Sequence, residues 1–124
     1  MVDYLKALGA NGTDIFAGVA VSDFKSSLDW YTRLLGAPPA FFPNDREAVW
    51  MLREHLWLYI IVDHGRAGGG IQTIMCDDLE STIDAIEARG LSFDDEERPA
   101  HNVRKVMYRD PDGNEIGLGS IRQD

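Results

Sequence analysis

An internal repeat is the feature that most constrains how this chain can fold. The segments VSDFKSSLDWYTRLLG at residues 21–36 and CDDLESTIDAIEARG at residues 76–90 each carry a candidate capping residue, an apolar stripe at helical spacing and a terminal Gly. The candidate caps are Ser22 or Asp23 in the first segment and Asp77 or Asp78 in the second. Each segment therefore predicts a helix. A shift of 55 residues superposes three pairs of identical residues: Asp23 on Asp78, Ser26 on Ser81 and Asp29 on Asp84. Because this shift is close to half of the chain, the pattern indicates an internal duplication.

Short apolar stretches around each predicted helix have the length of strands. The predicted strands are residues 15–21, 40–43, 48–53 and 56–62 in the first half, and residues 71–76, 92–94, 103–109 and 115–121 in the second. The string DPDGN at residues 110–114 predicts a tight turn between the last two strands. The order strand, helix, strand, strand, strand thus occurs twice. It predicts an α+β fold in which a curved mixed sheet carries the helices on its outer face and forms a cup on its inner face.

Length and composition predict one soluble domain. The 124 residues suit a single domain over residues 1–124, with module one at about residues 12–63 and module two at about residues 68–122. No segment approaches the roughly 18 apolar residues that span a bilayer, and the start of the chain lacks a signal sequence. We therefore expect a cytoplasmic protein that does not enter membranes. A net charge of −9 repels phosphate backbones, so we expect no nucleic-acid partner.

Two motifs of the chain resemble the vicinal oxygen chelate superfamily, which comprises glyoxalases, bleomycin resistance proteins and extradiol dioxygenases. The segments VAVSDFKSSLDWYTRLLG and MYRDPDGNEIGLGS carry the resemblance. Tyr31, Leu35 and Gly36 stand where the family has its FYxxxLG motif, and residues 110–114 reproduce its DPDGN turn. The resemblance implies two βαβββ modules and a homodimer, since single-chain relatives commonly pair and many build each cup from both subunits.

The metal-binding positions of the family are altered in this sequence. The resemblance places the ligands of metal-dependent members at Phe16, Ile71 and Gly117, none of which has a donor atom in its side chain. His55 and His64 lie at opposite ends of one predicted strand, about 30 Å apart, so they cannot share an ion. We therefore expect no metal and no cofactor, and no metal-dependent lyase or dioxygenase activity.

Aromatic residues are predicted to line the cup instead. The segment AVWMLREHLWLYI resembles fosfomycin-resistance enzymes, in which aromatic side chains at the positions of Trp50 and Trp57 line the ligand cavity. Alternation along the strands extends this set. The predicted ligand-binding residues are Phe16, Trp50, Trp57, Tyr59, Ile71, Thr73, Lys105, Met107 and Gly117. The competing interpretation is that these bulky side chains pack together and close the cup.

Two classes of function follow from an open cup. The first is a small-molecule-binding protein of the bleomycin-resistance type, which sequesters a mostly apolar or aromatic drug or metabolite. The second is a metal-free lyase or isomerase that uses Glu115, Tyr59 or Lys105 for proton transfer, although the sequence names no catalytic residue. Binding is favoured because it needs only shape and aromatic surface. Lys105 favours an anionic ligand and the net charge a cationic one, so the polarity of the ligand stays open. A closed cup would leave a domain that only dimerises or regulates.

Overall fold

A computed structural model describes residue 8 and residues 11–122 of the chain. It confirms the α+β fold class and the repeated order of elements. The first module contains β1 (Ile15–Val21), α1 (Phe24–Leu35), β2 (Phe41–Asn44), β3 (Glu47–Arg53) and β4 (Leu56–Val62). The second contains β5 (Ile71–Met75), α2 (Leu79–Ala88), β6 (Asp95–Ala100), β7 (Val103–Arg109) and β8 (Glu115–Ile121).

The strands form two mixed four-stranded sheets with the same topology. The orders are β1-β4-β3-β2 and β5-β8-β7-β6. In each sheet the first strand of the module pairs in parallel with the last, and the other neighbours are antiparallel. The parallel registers place Phe16 beside Trp57 and Thr73 beside Gly117. Side chains of paired residues share one face of a sheet, so this register decides which residues can form a site together.

The two helices begin in the same way, as the repeat predicts. The Asp23 carboxylate accepts a hydrogen bond from the Ser26 amide at 2.9 Å, and Asp78 accepts one from Ser81 at 3.1 Å. Each carboxylate satisfies an amide that has no partner within its helix. Helix α1 ends at Leu35 and is capped by Gly36, whose φ of 77° lies in the left-handed region that glycine adopts easily. Among the described residues no helix is long and apolar enough to cross a membrane.

The hydrophobic core lies between the sheets and the helices. The strands contribute aliphatic side chains such as Val19, Ile60 and Ile116, and the helices contribute Tyr31 and Ile86, all nearly inaccessible to solvent. Burying a side chain of this size contributes about 1.5–3 kcal/mol relative to exposure. The core face of each sheet is therefore occupied, and the opposite faces remain for function.

A buried polar junction joins the modules. The Tyr31 hydroxyl donates to Asp110 at 2.8 Å, and the Asn114 side chain donates to the same carboxylate oxygen and to the Ala20 carbonyl, each at 2.8 Å. The Gly70 amide donates in turn to the Asn114 side-chain oxygen at 2.7 Å. The two motifs that carried the family resemblance thus meet at one contact between modules.

The position of β6 differs from the prediction. The sequence indicated a strand at residues 92–94, whereas the strand occupies Asp95–Ala100. Every residue of β6 is exposed, and its sequence DEERPA is charged and contains a proline. Such residues are typical of an edge strand, which pairs on one side and faces water on the other. The apolar signal used to predict strands is therefore absent from this segment.

Candidate functional site

Four aromatic side chains lie on the face of the first sheet that points away from the core: Phe16, Phe41, Trp57 and Tyr59. We call this surface the aromatic face. The rings of Phe16 and Trp57 are stacked, with centroids 5.2 Å apart and planes 1° apart, and Phe41 meets Trp57 edge-on at 6.1 Å. Phe16 is 48% exposed. The stack therefore presents aromatic surface to solvent and does not close a second core.

A carboxylate fixes the orientation of Trp57. The indole Nε1 donates to Asp14 Oδ2 at 2.7 Å, and His55 Nδ1 lies 3.1 Å from the other carboxylate oxygen. The hydrogen bonds from Trp57 and His55 hold the pKa of Asp14 below its usual value. Asp14 therefore remains ionised at neutral pH and keeps accepting from the indole. Neither Asp14 nor Phe41 was predicted, since both contacts depend on strand register.

Tyr59 forms one wall of a cavity beside the stack. Its ring lies over Gly18, because a Cβ atom added at Gly18 would lie 2.5 Å from Tyr59 Cζ. The cavity has a volume of about 520 Å³ and extends towards the segment that connects β4 to β5. It is lined by Gly18, Ala20, Tyr59, Ile61, Arg66, Gly69 and Gly70.

Trp50 is not part of this surface, which corrects the sequence prediction. Trp50 is 2% exposed and belongs to the core, where its indole donates to the Ala37 carbonyl at 2.9 Å. The reason is the register of β3 and β4. Trp50 pairs with the buried Leu58, whereas Met51 pairs with Trp57. Because successive residues of a strand face opposite sides, Trp50 points to the core and Trp57 away from it.

The corresponding face of the second sheet is charged. We call Lys105, Arg109 and Glu115 the charged triad. Lys105 Nζ lies 3.9 Å from Glu115 Oε2, and Arg109 Nη2 lies 3.6 Å from Glu115 Oε1. Ile71 pairs with Glu115 and is 70% exposed, whereas Met107 is buried and offers almost no surface to a ligand. The two halves of the repeat therefore carry different chemistry at equivalent places.

A crevice of about 310 Å³ links the two modules. Trp57 lines it from the first sheet, and Thr73 and Met75 line it from β5. The other lining residues are mostly aliphatic: Ile15, Ala17, Leu52, Leu56, Leu58, Gln72 and Ile74. Trp57 and Thr73, two of the predicted ligand-binding residues, therefore line the same crevice from different modules.

The residues present do not fit a divalent metal ion. Phe16 supplies a phenyl ring, Ile71 an aliphatic chain and Gly117 no side chain at the positions where the resemblance places ligands. The Lys105 side chain lies across Gly117, and its positive charge opposes a second cation there. Among residues 8 and 11–122, no group of three or more His, Cys, Asp or Glu side chains is arranged to hold an ion.

Comparison with known families decides the classification. A profile of the glyoxalase/bleomycin resistance protein/dioxygenase superfamily matches residues 14–118. The chain belongs to this superfamily. A search of curated proteins found no match.

Solved structures with the same fold include one relative at high identity and others at low identity. A glyoxalase/bleomycin resistance protein from Catenulispora acidiphila is 45% identical, with a TM-score of 0.85 over 88% of this chain and 98% of that chain. An antibiotic binding protein from Streptomyces is 22% identical, with a TM-score of 0.66 over 88% and 95% of the two chains. A glyoxalase/bleomycin resistance protein from Albidiferax ferrireducens is 20% identical, with a TM-score of 0.66 over 86% and 97%. The last two show likeness of fold alone.

Proposed function

We propose that this superfamily member binds a planar, mostly apolar small molecule on the aromatic face, without a metal ion. The half-exposed stack of Phe16 on Trp57 is the observation that carries the proposal. An aromatic pair contributes about 0.5–1.5 kcal/mol beyond the burial of its area. Micromolar binding requires about 8 kcal/mol, which several such contacts and the apolar area around them can supply together.

The charged triad argues for binding over catalysis. A general base has to lie within hydrogen-bond reach of the proton that it removes. Glu115 lies 3.9 Å from Lys105 and 3.6 Å from Arg109, and neither contact is short enough to relay a proton from a base. A metal-free enzyme using Glu115, Tyr59 or Lys105 remains the alternative, and ligand turnover would reveal it.

Sequestration is the biological role that we propose. The Streptomyces neighbour is described as an antibiotic binding protein, and it shares the fold of this chain. A cytoplasmic protein with this surface would lower the free concentration of a drug or metabolite by binding it. Planar antibiotics are therefore the first compounds to test.

A homodimer forms part of this proposal. Met51, Ile71 and Met75 are each more than half exposed on the faces that point away from the core. A second copy that covers these side chains would remove apolar surface from water, and would enclose a ligand more fully than one chain does.

Titration calorimetry with a panel of planar aromatic antibiotics tests the proposal. Phe16→Ala is expected to lose most of the affinity, because it removes one ring of the stack. Phe42→Ala is the matched control, since Phe42 is an exposed aromatic residue next to Phe41 that packs against Phe24 of α1 instead of Trp57. Equal loss in both variants, or binding unchanged by Phe16→Ala, would contradict the assignment of the ligand to this face.

A further inference from the structure

We propose that Lys105 and Thr73 form an anion-binding end of the ligand site, so that the preferred ligand is a planar aromatic compound with a carboxylate or similar anionic group. The inference rests on the proposed function and adds the polarity of the ligand. The net charge of −9 favours a cationic ligand, whereas the local geometry over Gly117 favours an anionic one.

Gly117 allows the Lys105 side chain to lie flat on the sheet. A Cβ atom at residue 117 would be 2.6 Å from Lys105 Cε and 3.5 Å from Nζ, and any larger side chain would displace the lysine. Thr73 Oγ1 lies 3.4 Å from the same point. An ammonium group and a hydroxyl group therefore converge above Gly117. Both can donate hydrogen bonds to one anionic oxygen.

The ammonium group of Lys105 is incompletely paired. Its contact with Glu115 is 3.9 Å long, beyond the distance of a hydrogen bond. The neighbouring Arg104 shows the contrast, because its guanidinium is paired with Glu80 and, at 2.9 Å, with Glu96. The Lys105 side chain is only 22% exposed, so its stem is held in place while its donors lack close acceptors. A carboxylate on the ligand would supply those acceptors.

Thr73 connects this end of the site to the aromatic face. Thr73 and Trp57 both line the crevice between the modules, and Thr73 pairs with Gly117 on β8. A ligand that stacks on Trp57 and extends past Thr73 would bring an anionic group towards Lys105 above Gly117. Planarity and a negative charge are the two properties that this arrangement selects.

Binding of 2-naphthoate and its neutral amide, 2-naphthamide, tests the inference. The two probes share one ring system and differ in charge. We expect the native protein to bind 2-naphthoate about tenfold more tightly, which is the effect of one favourable charge-assisted hydrogen bond. Lys105→Met keeps a long side chain over Gly117 but removes the charge. It should abolish the preference, because it weakens 2-naphthoate binding far more than 2-naphthamide binding.

Gly117→Ala provides an independent variant. The new methyl group would displace the Lys105 stem without changing any charge, and the lysine can move because its end is flexible. The preference for 2-naphthoate should fall as it does in Lys105→Met. Lys25→Met is the control for net charge, because Lys25 is exposed on α1. It should leave the preference intact.

The outcomes separate this inference from the proposed function. Equal affinity of the native protein for both probes, or a preference that survives in Lys105→Met, overturns the role of Lys105 while binding itself stands. Failure of both probes and of the antibiotic panel to bind overturns the proposed function, and this inference with it. Loss of the preference in both Lys105→Met and Gly117→Ala, but not in Lys25→Met, supports the anion-binding end.

Discussion

Trp50 and Trp57 lie on adjacent antiparallel strands and point to opposite faces of the same sheet. Trp50 packs within the core and donates to the Ala37 carbonyl, whereas Trp57 stacks on Phe16 and donates to Asp14. The two tryptophans are therefore expected to have separable roles, one in stability and one in binding.

Alanine substitution at the two positions should separate these roles. Trp50→Ala should lower the free energy of unfolding by about 3–5 kcal/mol, because it leaves a cavity in the core. Trp57→Ala should cost much less stability and remove most of the affinity for planar ligands. Urea denaturation measures the first effect and calorimetric titration the second. Similar unfolding curves for the two variants would contradict the assignment of Trp50 to the core.

Two buried tyrosines, one inside the junction between the modules and one outside it, are expected to differ in their effect on stability. The Tyr31 hydroxyl donates to Asp110, whereas the Tyr108 hydroxyl is buried without a hydrogen-bond partner. Burial and the nearby Asp110 carboxylate raise the pKa of Tyr31 far above its usual range, so the phenol remains a donor. Tyr31→Phe should cost about 1–3 kcal/mol, because the buried carboxylate loses a partner.

Tyr108→Phe is the matched control for Tyr31→Phe. It removes the same atom from a buried ring, but that atom makes no hydrogen bond. It should therefore leave stability unchanged or raise it slightly. Chemical denaturation of both variants gives the comparison. If Tyr108→Phe proved as destabilising as Tyr31→Phe, the cost would arise from packing and not from the junction.

Much of this fold was predictable because most signals of the repeat come from residues that are close together in sequence. The Asp caps at residues 23 and 78 and the glycine at residue 36 act within one helical turn, so the sequence places each cap to within one residue and the glycine at its observed position. Strand β4 was predicted at its observed bounds because its residues are apolar throughout. Strand β6 was misplaced because an exposed edge strand lacks that signal. Local physical signals were sufficient wherever the interaction that stabilises an element lies near it in sequence.

The candidate site was harder to predict because it depends on pairing between strands. Alternation shows that Trp57 and Tyr59 share a face, but it does not relate them to Trp50 across a turn. That relation requires the β3–β4 register, which includes an irregularity between Met51 and Arg53. The position of Lys105 over Gly117 likewise depends on the pairing of β7 with β8. The sequence could therefore predict which residue types form the site, but not which of them lie next to one another in the structure.

The contact between Asp14 and Trp57 predicts a pH dependence. The pKa of Asp14 is lower in the folded protein than in the unfolded chain, so the contact stabilises the fold at neutral pH. That contribution is lost as the pH falls through the lowered pKa, below about 4. The indole N–H resonance of Trp57, assigned by its loss in Trp57→Phe, should shift over this range in NMR spectra. Asp14→Asn should abolish the shift, and a persistent shift would assign it to another group.

Metal content tests whether the changes at Phe16, Ile71 and Gly117 remove the metal site. Elemental analysis of protein purified without a metal-affinity step should find Zn, Ni, Mn and Fe well below one equivalent. Treatment with a chelator should leave ligand affinity unchanged, because the proposed contacts are aromatic and ionic. A tightly bound equivalent of metal whose removal also abolished ligand binding would refute the metal-independent site.

The remaining prediction is that the protein forms a homodimer in which the second copy helps to enclose the ligand. Light scattering at micromolar concentration should give twice the 13.9 kDa mass of one chain. Ile71→Asp should shift the mass towards the monomer, because it places a charge on one of the most exposed apolar side chains. Ala85→Asp is the control, because it adds the same single negative charge at an exposed position of α2. Dissociation of Ile71→Asp together with weaker ligand binding would show that the second copy completes the site. A monomeric native protein would instead mean that one chain binds the ligand alone.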